Sequence, residues 1–115
     1  MVSAANERGL LRVTIYVRVR DEQDPDDVEK LIQAYHESSK ALEGTPGMLR
    51  NELLRDVKEP VRFAVLSEWE DRHAFLEWEE GVRHKGQTAP IREFADPTPS
   101  GRPFAVYEVV AAYSA

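Results

Sequence analysis

The chain has 115 residues, 42% hydrophobic and 31% charged, which suits one globular domain with a modest core. A net charge of −6 excludes the basic surface that nucleic-acid binding requires. No cysteine means no disulfides and no thiol chemistry, and no apolar window approaches a membrane span, so a cytoplasmic protein with neither nucleic-acid nor membrane partners is expected.

Residues 1–10 lack the apolar run of a secretory leader and read as a flexible N-terminal arm, leaving 11–115 as a single domain. Leu11 to Arg20 alternates Leu11, Val13, Ile15, Val17 and Val19 with mostly polar positions, which predicts a strand. Asp24 then offers a cap, Pro25 suits the first helical position, and Asp26 and Asp27 favour the positive helix end. Val28, Leu31, Ile32, Tyr35, Ser39 and Leu42 recur at helical spacing and form one apolar stripe. Gly44 stops this helix, and Thr45-Pro46-Gly47 reads as a turn.

Met48 to Leu54 predicts a second strand, Arg55 to Pro60 a charged turn, and Val61 to Trp69 a third strand. Asp71 can cap a helix whose Ala74, Phe75 and Trp78 share one face, with Gly81 near its end. Residues 82–95 leave two readings open, one of them a short helix through Ile91 and Phe94. After the Pro97 to Pro103 loop, the apolar run Phe104 to Tyr113 reads as the last strand.

The order βαββαβ defines an α+β fold, a ferredoxin-like sandwich with both helices on one face of a four-stranded antiparallel sheet. The other face would also carry apolar side chains, Leu66 and Val110 among them, and an uncovered apolar sheet invites another sheet. A homodimer through that face is therefore expected, with Glu68 pairing with an arginine across it.

Val65, Ser67 and Trp69 alternate onto one strand face, with Phe63 at its far end, and Phe75 and Trp78 can close over them. An apolar slot of this kind suits a small flat aromatic substrate. Each tryptophan also fits a plain core role, since aromatics bury much area anywhere. Of the three histidines, His36 and His73 read as surface positions, whereas His84 follows the second helix where it would overhang a pocket mouth. Tyr16 could hydrogen-bond a phenolate or lie at the dimer seam. No histidine pair has metal-motif spacing, and Gly44 with Gly47 is turn chemistry, not a phosphate loop.

The strand order, the turn Gly44-Thr45-Pro46-Gly47, and Ser67-Glu68-Trp69-Glu70-Asp71 followed by Ala74-Phe75 resemble the antibiotic biosynthesis monooxygenase family over roughly residues 11–112. The resemblance implies a dimeric α/β barrel. It also implies chemistry ranging from quinone-forming oxygenation to haem degradation. Cofactor-free anthrone oxygenases are similar at Trp69, but usually carry asparagine four residues earlier and tyrosine six residues later, where this chain has Val65 and Phe75. The haem-degrading branch is similar at Trp78, yet needs a first-strand asparagine and a histidine about ten residues on. Here Thr14, Tyr16 and Val17 occupy the strand and Thr88 the later position, with His84 out of register.

The resemblance thus implies a cofactor-independent monooxygenase that uses molecular oxygen on a polycyclic, polyketide-like substrate. His84 would take the proton, Tyr16 and Ser67 would orient, and Trp69, Trp78, Phe75, Val65 and Phe63 would bind substrate. A non-redox tailoring or ligand-binding dimer is the alternative, and a haem protein the third reading.

Overall fold

The computed structural model describes residues 3–4, 7–21, 23–81, 84–99 and 101–114, with the side chains of residues 3, 4, 84 and 85 outside that description. Strands β1 (Ser3–Ala4) and β2 (Leu11–Arg18) precede helix α1 (Pro25–Ala41). Strands β3 (Met48–Arg55) and β4 (Arg62–Trp69), helices α2 (Arg72–Glu80) and α3 (His84–Arg92), and strands β5 (Phe104–Glu108) and β6 (Tyr113–Ser114) follow. The main sheet has the antiparallel order β3-β4-β2-β5, which is the ferredoxin-like α+β arrangement. Within one chain this sheet stays open.

Local chemistry sets the helix boundaries. The Asp24 carboxylate accepts from the Asp26 N–H at 2.9 Å, and Pro25 opens α1 at no cost because its missing N–H would have no helical partner. The Asp71 carboxylate accepts from the Ala74 N–H at 2.8 Å and starts α2. Gly47 is needed for close approach as well as for its φ of +82°. A Cβ there would overlap the Ala74 Cβ, and the Gly47 carbonyl accepts from the Glu70 N–H at 2.8 Å. This contact fixes the start of β3 against the start of α2.

Register places Leu11, Val13, Ile15 and Val17 beside Trp69, Ser67, Val65 and Phe63 on one face. The helices cover that face and divide its packing in two. Val17, Val19, Phe63 and Val65 meet Leu31 and Ala34 of α1 and Ile91 of α3. Leu11, Val13 and Trp69 meet Ala74 and Phe75 of α2.

Two sequence expectations need correction. The last strand stops at Glu108 instead of running to Tyr113, because Glu108 lies opposite Leu11, the first residue of β2. Beyond it Val109 still donates to the Leu10 carbonyl at 2.8 Å, but Gly9, at φ +97°, turns the neighbouring chain away. Tyr113–Ser114 then pairs with Ser3–Ala4, residues read from sequence as part of an arm. On the open face, the Arg12 Nε donates to the Glu68 carboxylate at 3.2 Å from the adjacent strand. The open face nevertheless shows apolar surface, with Leu54 and Tyr107 exposed beside half-buried Ala64 and Leu66.

Candidate functional site

A cavity of about 320 Å³ lies where the two packed clusters meet, between the sheet and all three helices. The sheet contributes Val13 and Ile15 from β2, Asn51 from β3, Val65, Ser67 and Trp69 from β4, and Phe104 from β5. Helix α1 adds Tyr35, Ser38 and Ser39, α2 adds Phe75, Trp78 and Glu79, and α3 adds Thr88, Ile91 and Arg92. Its size falls near the small end of ligand sites, and most of its wall is apolar.

Three aromatic rings form one wall. The Trp69 ring lies 5.5 Å from Phe75 edge-on and 5.2 Å from Trp78, and Phe75 lies 6.0 Å from Trp78. Polar anchors fix both indoles. The Trp69 Nε1–H donates to Ser67 Oγ at 3.0 Å, two residues back on the same strand face. The Trp78 Nε1–H donates to Gln87 Oε1 at 2.7 Å, and the Gln87 amide donates to the Ala41 carbonyl at 2.9 Å. Gln87 therefore ties α1, α2 and α3 together behind the indole. Trp69 is only 1% exposed, so the same ring serves both core and cavity.

Of the residues singled out from sequence, Ser67, Trp69, Trp78, Phe75 and Val65 come together in this cavity. Phe63 is not among its lining residues. It is buried in the neighbouring cluster, with the Arg55 guanidinium 5.1 Å from its ring centre. Tyr16 pairs with Ala64 on the open face, opposite the cavity. A hydrogen bond with Tyr107, and then burial, holds its phenol above the usual tyrosine range, so it stays protonated at neutral pH. His84 opens α3, but its side chain lies outside the described residues. His36 is exposed, and His73 lies 3.1 Å from Glu77 on its own helix.

Sequence reading missed the polar end of the cavity. The Asn51 amide donates to Ser39 Oγ at 3.1 Å, the Tyr35 hydroxyl donates to the Asn51 carbonyl at 3.2 Å, and Ser38 Oγ accepts from the Ile91 N–H at 3.3 Å. Asn51 was hidden by a bulge: the register shifts between Met48 and Arg50, so alternation counted from the start of β3 puts Asn51 on the wrong face. Ser39 stood on the predicted stripe, and only its partner was unreadable.

Among the described residues no three His, Cys, Asp or Glu side chains converge as a metal-binding group, and no helix is long and apolar enough to cross a membrane. Thr88, ten residues after Trp78, is buried in the cavity wall.

Comparison with known proteins places these features in a wider set. Protein SchA of Streptomyces halstedii is 25% identical over 92 residues, covering 80% of this chain but only 23% of SchA. A conserved protein from Methanosarcina mazei Go1 superposes with a TM-score of 0.67 at 15% identity, over 89% of this chain and 94% of that one. SnoaB, a cofactor-independent oxygenase from Streptomyces nogalater, superposes with a TM-score of 0.65 at 12% identity, over 89% and 93% of the two chains. At such identities the superpositions speak for the fold alone. The sequence profile of antibiotic biosynthesis monooxygenases matches residues 10–86, which hold three strands of the main sheet with α1, α2 and both cavity tryptophans, and the chain belongs to that family.

Proposed function

We propose that this protein is a cofactor-independent monooxygenase that converts a flat, polycyclic phenolic substrate of polyketide type into a quinone, with molecular oxygen as co-substrate. The observation that carries the reading is the aromatic-walled cavity of about 320 Å³ in a chain of this family. Electron-rich ring systems react with oxygen once ionised, because the anion itself supplies the electron. A ring CH₂ loses one proton and then passes one electron to oxygen. The carbon radical and superoxide join in a C–O bond. The O–O bond then breaks as the carbon loses its second hydrogen, leaving a carbonyl, and the other oxygen atom departs as water.

The protein's tasks are to hold the rings flat, favour the anion and exclude water. Trp69, Trp78, Phe75 and Val65 supply apolar walls for the first and third. Arg92 brings positive charge to the lining, beside the opposing Glu79, and Ser67 offers a hydroxyl for orientation. In this reading His84, at the start of the helix that carries Arg92, takes the first proton. Tyr16 has no part in it. The working unit is a homodimer paired across the open sheet face, where Leu54, Leu66 and Tyr107 supply apolar surface.

Aerobic incubation with an anthrone, following oxygen uptake and quinone absorbance together, tests the proposal. One oxygen consumed per quinone formed is the expected result. Val65 and Phe75 put apolar groups in the cavity wall, which favours a second reading, a non-redox ligand-binding dimer. Saturable binding without oxygen uptake would establish that reading and overturn the first.

A further inference from the structure

We propose that Asn51 is the polar anchor of the cavity: its side-chain carbonyl accepts a hydrogen bond from a hydroxyl at the edge of a flat aromatic ligand, so the site selects phenols over their ethers. The inference rests on the aromatic-cavity reading above. Asn51 lies on β3 opposite Ser67 of β4, on the face that meets the cavity. Two bonds to α1 clamp it. Its Nδ2 donates to Ser39 Oγ at 3.1 Å, and its backbone carbonyl accepts from the Tyr35 hydroxyl at 3.2 Å. With Nδ2 engaged, Oδ1 is turned away from Ser39.

That oxygen is buried and has no hydrogen-bond partner among the described residues. A buried acceptor without a donor costs free energy that ordinary folding avoids. The two other orphaned atoms among the described residues each face an opposite charge: Arg62 Nε lies 3.1 Å from Glu59 Oε2 and 3.9 Å from Asp96 Oδ2. Asn51 Oδ1 has no such counterpart. A ligand hydroxyl supplies the missing donor, whereas a ligand carbonyl or ether would set acceptor against acceptor. Oδ1 is screened from solvent in the free chain, so the ligand reaches it by displacing neighbouring side chains while Nδ2 keeps its bond to Ser39. Val65 and Phe75 put no polar group into the wall, so Asn51 supplies an amide from the neighbouring strand.

The test titrates the wild type and Asn51→Leu with 2-hydroxyanthraquinone and with its methyl ether, reading tryptophan fluorescence, alongside thermal melts. The wild type should bind the phenol roughly 10-fold more tightly than the ether, as expected for one buried hydrogen bond whose loss strands an acceptor. Asn51→Leu should bring the two ligands to about equal affinity while still melting cooperatively, since it removes the stranded oxygen together with the Nδ2–Ser39 bond. Equal wild-type affinity for both ligands would overturn the inference and leave the aromatic cavity standing. Binding of neither would overturn both. A lowered Tm with the phenol preference retained in Asn51→Leu would mean that Asn51 serves packing alone.

Discussion

Trp69 shows why one residue can belong to both core and site. It is essentially fully buried, yet its ring forms cavity wall and its N–H is held by Ser67. Trp69→Ala should therefore lower stability by about 3–5 kcal/mol in denaturant titration. Trp78 is only half-buried, so Trp78→Phe should cost less stability while loosening the Gln87 tie and weakening aromatic ligands, readable by calorimetry of binding.

Asp96 gives the residue-scale pH prediction. Burial pushes its carboxyl upward. Hydrogen bonds from the Thr98 hydroxyl at 2.6 Å and N–H at 3.0 Å, with Arg18 and Arg62 nearby, outweigh that and hold it below the usual aspartate range. A lowered folded-state value contributes stability that is complete above the unfolded value and lost as pH falls through the folded one. The Tm gap between wild type and Asp96→Asn should therefore be full at neutral pH and close below about pH 4. A gap that is unchanged on acidification would contradict this assignment.

At the scale of elements, the glycines after α1 separate two costs. Gly44 and Gly47 both have positive φ, but a Cβ at Gly44 meets nothing within 4 Å, whereas one at Gly47 would overlap Ala74. Gly44→Ala should cost about 1–2 kcal/mol from backbone conformation alone. Gly47→Ala should cost more, because α2 must also shift away from β3, and chemical denaturation of the two variants measures the difference. Elements with strong local signals were legible in the sequence: β2 through its alternation, α1 and α2 through Asp24 and Asp71. Helix α3 was not, because Gly86, Thr88 and Pro90 give it weak helical preference, and its packing against α1 makes good that deficit. The end of β5 was illegible for another reason. It is set by where Gly9 turns the partner strand, a long-range fact absent from Phe104–Tyr113 itself.

For the whole molecule, the strand order and the aromatic wall were readable because period-two spacing puts Val65, Ser67 and Trp69 on one face. The polar end was not, since Asn51, Ser39 and Tyr35 meet only through tertiary packing across a bulged strand. The proposed dimer makes its own prediction. Leu54→Glu with Tyr107→Glu places charge on the open face, and should yield a monomer by sedimentation with an unchanged far-UV spectrum. Retention of the dimer would move the interface elsewhere. The central claim is that the hollow between sheet and helices is a binding site for flat aromatics. A crystal structure of the protein soaked with an anthrone tests it most directly: the account predicts the ring system inside, one face against Trp69 and Trp78, and a hollow closed by side chains with the compound only on the outer surface would contradict it.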